Sequence, residues 1–365
     1  MRLTKSFEKL LTDTVNLNQT RIDRVISAHN TVRDAIKAHE EVAPLLVGGG
    51  TYLQGSYAYG TAVRPSGSYT EYDVDAVIAL DLEKEDGSLP NGYGVVQWIA
   101  RVLESFARYK VERKTTCARV DYESDDGRFH LDIVPAHQSG SISDAICIPP
   151  DWEQSHPRGY KSWLQDRKDE HCKRVKHLVR IMKYWRNKQC TDGFGSEWGP
   201  NSMILTTLVA KHAPADGNYH DSLDEALVET MESMLDFFAA HDEDNPYRVP
   251  EVANPSLESE DLARNWKHGD YQRFRDLLDE AAATGRKALC SKDEEESIDL
   301  WNSEVLFDGD FPKTTRGLGK TAKRVGEAMV GGGLHVGVGS GVGKRSEERT
   351  RRVPDNGGFY GSSKD

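Results

Sequence analysis

The chain has 365 residues, with 47 Lys and Arg against 59 Asp and Glu and a formal net charge of −12, a length that suggests two domains with additions. Its longest apolar run, around Met203–Ala210, is interrupted by threonines and too short to cross a bilayer, and the start MRLTKSFEKL has no secretory hydrophobic core. Five scattered cysteines, Cys117, Cys147, Cys172, Cys190 and Cys290, are never spaced as CxxC, which excludes a zinc ribbon and a disulfide framework and fits a reducing, cytoplasmic setting.

The charge is uneven. From Lys313 to Asp365 there are 11 basic and 5 acidic residues, a local +6 that leaves −18 on residues 1–312. So acidic a body is a poor general ligand for duplex nucleic acid, whose binding is driven by phosphate neutralisation. An anionic ligand must therefore meet a local basic patch.

In chain order, Ile22, Val25, Ile26, His29 and Ile36 recur near the helical period and predict a long N-terminal helix. Gly48-Gly49-Gly50 is expected to break the chain before Thr51–Ser56. Residues 72–80, YDVDAVIAL, read as a buried strand, followed by a helix at Val95–Tyr109 and strands at Thr115–Tyr122 and Arg128–Val134. Pro149-Pro150 and WEQSHPRGY are expected to form a boundary loop, after which 168–188, 200–212, 222–240, 257–282 and 291–306 read as helices. The expected organisation is a mixed α/β half at 1–160, a helical half at 161–312 and a Gly-rich, basic, flexible tail at 313–365. Gly319-Lys320-Thr321 and Gly343-Lys344 in that tail do not meet the spacing of a phosphate loop.

The chemistry is expected around two motifs. Gln54-Gly55-Ser56, with Thr61 and Arg64 downstream, offers close backbone approach and a hydroxyl for phosphate. Asp73-Val74-Asp75 puts two carboxylates on one face of a strand and its apolar residues on the other. Carboxylates so close repel unless a cation lies between them, and a hard divalent ion such as Mg²⁺ resolves the conflict. The plain alternative is a solvated strand end with incidental acids. Asp132, in the apolar run HLDIV, is costly there unless paired or bound to metal. If its strand adjoins that of Asp73 and Asp75, the three can hold two metals for in-line phosphoryl transfer. His130 would share that face, in a hydrogen-bonded structural role.

A further basic strip lies in the 168–188 helix. Lys173, Lys176, Arg180 and Lys183 fall in one quadrant, opposite Val175, Leu178, Val179, Met182 and Trp185. Lys183 is read as a triphosphate contact. The other three are expected to tune the field or face solvent.

Gly-Ser, then Asp-x-Asp, then a later strand Asp resembles the DNA polymerase β-like nucleotidyltransferase superfamily over most of residues 1–312, and within it the CD-NTases of bacterial anti-phage (CBASS) systems, which are DncV-like enzymes related to oligoadenylate synthases. LVRIMKYW at 178–185, Asn201-Ser202-Met203, Asn254-Pro255 with Asn265-Trp266, and Trp301 followed by LFDGDFP at 306–312 match further stretches of that pattern, with Asp308 as an inserted acid. The resemblance implies an α+β polymerase β-like core with a mixed sheet and a C-terminal helical bundle, two lobes around a cleft. It implies Asp73, Asp75 and Asp132 as catalytic metal ligands, and Gln54, Gly55, Ser56, Lys183 and Ser202 as nucleotide contacts.

It further implies two Mg²⁺ ions, replaceable by Mn²⁺, and NTP substrates including ATP, joined into a cyclic oligonucleotide with release of pyrophosphate. The partners it implies are a product-sensing effector and an E1/E2-like regulator acting on the C-terminal tail. The zinc insertion of the animal DNA sensor is missing, so no DNA activator and no membrane partner are expected. A linear oligoadenylate-like or RNA-tailing transferase, a toxin-like transferase on protein or tRNA, and a catalytically dead binding module are the competing readings.

Overall fold

The computed structural model describes residues 1–313 apart from 66–70, 107–109, 125–126, 140–144, 192–197 and 217–221, followed by three short paired segments at His335–Gly337, Val342–Gly343 and Thr350–Arg352. Most of the tail, including Gly319-Lys320-Thr321, Lys344 and the last thirteen residues on which the expected regulator would act, lies outside the described residues.

The first layer is a seven-stranded mixed sheet. Strands β1 (Leu46–Gln54), β2 (Glu71–Leu80), β5 (Gly127–His137), β4 (Ala118–Ser124) and β3 (Val111–Arg113) run in that spatial order, with β6 (Ile146–Ile148) and β7 (Glu153–Ser155) extending from β5. Only β2 and β5 pair in parallel. Strand alternation sorts their side chains: Val74, Ala76, Ile78, Leu131, Ile133, Ala118 and Val120 join one apolar cluster. That cluster is closed by Ile22, Val25, Val32 and Ile36 of helix α2 (Gln19–Ala38) and by α4 (Gly92–Glu104). Asn18 and Asn91 cap these two helices, each side chain accepting from a backbone N–H of the first turn, at 2.9 and 3.0 Å.

The three glycines at 48–50 lie inside β1 rather than ending the chain segment before it. All three adopt positive φ, 51°, 93° and 84°, and the β1–β2 register shifts between Leu46 and Thr51. They form a bulge, which is what glycine permits in a strand.

The second apolar cluster holds the helical half, and it also takes in the start of the chain. Helix α1 (Thr4–Leu10) and the π-helical turn Leu11–Val15 bury Phe7, Leu10 and Val15 against it. The predicted long helix through Ile22–Ile36 is α2, and α1 precedes it as a separate helix, parted from it at Asn16–Asn18. Phe7 packs edge-on against Trp301 and Phe311, with ring centroids 4.8 and 5.0 Å away, so the LFDGDFP segment and the first helix hold each other.

Several helix boundaries shift. WEQSHPRGY contains β7 and the start of α5 (Pro157–Asp166), so the expected 160/161 boundary falls within a helix. Residues 168–188 divide into a π-helical turn (Arg167–His171) and α6 (Val175–Gln189). Helices α7 (Ser202–His212) and α8 (Leu223–Asp244) fall close to their predicted spans. Residues 257–261 are not helical: they form β9, paired with β8 (Ala253–Asn254), and α9 begins only at His268 and runs to Cys290. The polar LESED run has no apolar helical face, and Asn254 shapes the hairpin by accepting from Ser256 N at 2.9 Å. Helix α10 covers only Glu294–Trp301. All five cysteines are free thiols.

Candidate active site

Register gathers the acidic residues. In the β2–β5 pairing Asp75 stands opposite Asp132 and Asp73 opposite His130, and aligned residues of paired strands share a face. Adjacent strands lie about 4.8 Å apart. Asp73, Asp75 and Asp132 therefore crowd the polar face of the sheet, and all three line one cavity of about 490 Å³.

The crowding is visible in Asp75. Its carboxyl is pushed up to about 7, first by burial and then by the charges of Asp132 and Asp73, with Lys183 and Arg119 acting against the rise. Such crowding favours a cationic partner, and a guanidinium supplies one. Arg119, opposite Asp132 in the β4–β5 register, donates to both Asp132 oxygens at 2.7 and 2.8 Å and to Asp73 at 3.1 Å. Held this way, no three His, Cys, Asp or Glu side chains among the described residues are arranged to ligate one ion. The all-oxygen donor set is nonetheless that of a hard divalent cation. His130 is engaged elsewhere, its Nδ1 2.8 Å from Asp121 Oδ1, in keeping with a structural role.

The Gly-Ser turn abuts the same carboxylates. Gln54 ends β1 opposite Asp75, and Gly55 turns the chain at φ +64° into the short helix α3 (Gly55–Tyr59). A Cβ on Gly55 would come within 2.3 Å of Asp75 Oδ2, so no larger residue fits. Gly55 and Ser56 line the cavity, whereas Gln54 is not among its lining residues, being spent on the strand end one position earlier. Thr61 and Arg64 also line it.

The helical half supplies the opposite wall. Lys183 of α6 is 5 % exposed and donates to Thr61 O at 3.0 Å. Burial, then the neighbouring Arg186, lower its ammonium to about 7, while Asp75 pulls the other way. Ser202 opens α7, whose cap Asn201 accepts from Met203 N and Ile204 N, both at 2.9 Å. Arg186 donates to Ser202 Oγ at 3.0 Å and to Pro200 O at 2.8 Å.

Two residues here escaped the sequence reading. Arg186 continues the basic strip one turn past Lys183, a signal that helical spacing carries. Arg119 had no such signal, because only the non-local pairing of β4 with β5 brings it to Asp132. Of the two roles expected for the rest of the strip, facing solvent holds for the exposed Lys173, whereas Lys176 and Arg180 are only 7 % and 4 % exposed.

A mixed-sheet core with an acidic triad on its polar face, a Gly-Ser turn against it and a buried lysine across the cleft is the plan of a polymerase β-like nucleotidyltransferase. Residues 1–168 match the Second Messenger Oligonucleotide or Dinucleotide Synthetase domain family. The chain is 26 % identical over 349 residues to the cyclic AMP-AMP-AMP synthase of an Acinetobacter species, covering 93 % of this chain and 94 % of the relative. Its fold is similar to that of the CD-NTase CdnG of Bradyrhizobium diazoefficiens, solved with GTP, at TM-score 0.65 and 18 % identity over 87 % of this chain and 96 % of that one. It is also similar to E. coli CdnC, solved in a complex with HORMA-deltaN, at TM-score 0.64 and 17 % identity over 85 % and 98 % of the two chains. The chain is thus similar, in its first 168 residues by family pattern and over most of its length by sequence and fold, to the CD-NTase nucleotidyltransferases.

Proposed function

We propose that this enzyme joins NTPs, ATP among them, into a cyclic di- or trinucleotide with release of pyrophosphate, and that the product is a second messenger in bacterial anti-phage signalling. The observation that carries the reading is the single cavity in which Asp73, Asp75 and Asp132 face Ser56, Lys183 and Ser202. The likeness to a cyclic trinucleotide synthase over 93 % of the chain supports the cyclic product.

In this reading the triphosphate of a donor NTP lies between the Gly55-Ser56 turn and Lys183, with the Ser202 hydroxyl oriented toward it by Arg186. Fixed donors of this kind act on charge that develops at the phosphates. Asp73, Asp75 and Asp132 would hold two Mg²⁺ ions, with Mn²⁺ as a substitute. Such ions lower the pKa of an attacking ribose hydroxyl and offset phosphate charge. The hydroxyl oxygen bonds the α-phosphorus in line as the bond to the bridging oxygen breaks and pyrophosphate departs. A product-sensing effector and a protein regulator are the proposed partners, the latter by analogy with the HORMA-deltaN complex of CdnC. Among the described residues no helix is long and apolar enough to cross a membrane.

The test is incubation with each labelled NTP and Mg²⁺ or Mn²⁺, then mass spectrometry of phosphatase-resistant products. A cyclic oligonucleotide is expected, absent with the Asp73→Asn/Asp75→Asn double variant. Products with free ends would instead indicate a linear or tailing transferase, and label on protein or tRNA a toxin-like one.

A further inference from the structure

A second cavity, of about 520 Å³, shares Arg64 with the first but contains none of the acidic triad. Five cations line it: Arg64, Lys168, Lys173, Lys176 and Arg180, with His177 beside them. None of the described lining residues is acidic. In a chain of net charge −12, and −18 over residues 1–312, that concentration is the reverse of the average surface.

The local arrangement follows from helix geometry. Lys176, His177 and Arg180 recur at three- and four-residue spacings at the start of α6, so they share one face, and Lys173 lies in the turn just before it. The π-helical turn before α6 adds Lys168, and the turn after α3 adds Arg64. The opposite wall is the chain crossing at Asn16–Gln19, with the positive end of the 20-residue helix α2.

Burying like charges together is costly unless a counter-charge joins them. Partial relief is present: Lys176 Nζ donates to Gln165 Oε1 at 2.7 Å, Lys168 stands 3.6 Å from exposed Asp169, and the Lys173 backbone N–H donates to Asp216. None of these places an anionic group among the lining residues. Burial and then the nearby Lys168 and Lys161 lower the Lys176 ammonium to about 8, and burial with Arg180 lowers His177 to about 4. Both shifts express burial together with the crowding of like charge.

We propose that this cavity is a second anion site, separate from the nucleotide cavity, which takes a compact polyphosphorylated small molecule. Clustered phosphates match five cations that line one open cavity. A duplex nucleic acid needs an extended basic surface, which the acidic body does not provide. Arg64, lining both cavities, gives the second site a direct wall in common with the first.

The test is calorimetric titration of the full chain with inorganic tripolyphosphate in EDTA, beside K168E/K173E, which reverses charge at the cavity mouth. The expected result is one equivalent of tripolyphosphate that the variant loses or binds at least about tenfold more weakly, with unchanged circular dichroism and melting temperature. ATP displacing this equivalent would identify a nucleotide as one source of the phosphates; ATP leaving it in place would point to inorganic polyphosphate. If K168E/K173E does not fold, Lys173→Ala at the exposed rim should weaken the same equivalent severalfold. Wild-type stoichiometry and affinity in a folded variant would overturn the proposal, as would binding of a short DNA duplex, lost in the variant, where tripolyphosphate does not bind.

Discussion

Arg119 and Asp132 meet as a two-pronged ion pair across β4 and β5, at 2.7 and 2.8 Å, so the carboxylate expected to take a metal already has a cationic partner. Any divalent ion at the triad must compete with that guanidinium. Arg119→Gln is therefore expected to raise Mn²⁺ affinity in the absence of nucleotide, by about three- to tenfold. Electron paramagnetic resonance titration of free Mn²⁺ measures it. Unchanged or weaker binding would show that the pair does not oppose the metal.

Asp75 links metal binding to pH. Its folded-state value is raised from 3.8 to about 7, so below that pH the native carboxyl holds a proton that an incoming cation must displace. Apparent Mn²⁺ affinity should climb by up to about tenfold per pH unit below 7 and level off above it. The same shift favours the fold at low pH: its contribution is complete below 3.8 and is lost as pH rises through about 7. Asp75→Asn should abolish this component of the pH dependence, and a profile that is flat in the wild-type protein would contradict the assignment.

Gly55→Ala tests the close approach to Asp75. The new Cβ meets Oδ2 at 2.3 Å and the backbone sits at φ +64°. A stability loss of about 1–3 kcal/mol is expected, with nucleotide turnover down by roughly 100-fold or more because the carboxylate is displaced. Thermal melting and product formation, measured on the same preparation, separate the two effects. Near wild-type turnover would mean the turn can yield without moving the carboxylate.

Arg186 is expected to act through Ser202. Arg186→Met removes the donor to Ser202 Oγ and to Pro200 O. If the two work as one contact, Arg186→Met and Ser202→Ala should each raise KM for NTP by about three- to tenfold with less effect on kcat, and the double variant should fall short of additivity. Full additivity would make them independent.

How far the sequence carried depended on the range of the interaction. Alternation in YDVDAVIAL and HLDIV placed the acids on the polar face, and the Gly-Ser motif lay where only glycine can stand. Pairing between distant segments was not legible in advance, so Arg119 was missed and β9 was read as part of a helix. The assignment of α1 to the helical half rests on Phe7 meeting Trp301 across the length of the folded chain, a contact that no local period encodes. For Lys176 and Arg180 the sequence left open whether they tune the field or face solvent, because a basic helical stripe looks alike whether it borders water or a cavity, and their burial removes the second.

Because the first fifteen residues pack with the helical half, the backbone leaves that cluster near Asn16–Asn18, touches it again through Ala58 and Tyr59 of α3, and returns to it at α5. A Val15–Arg64 backbone hydrogen bond of 2.9 Å and an Asn16–Val63 bridge fasten the first passage beside the cavity. Repeated crossings fasten the two walls of the cleft to each other at several points, which restricts their relative swivelling more than a single linker would.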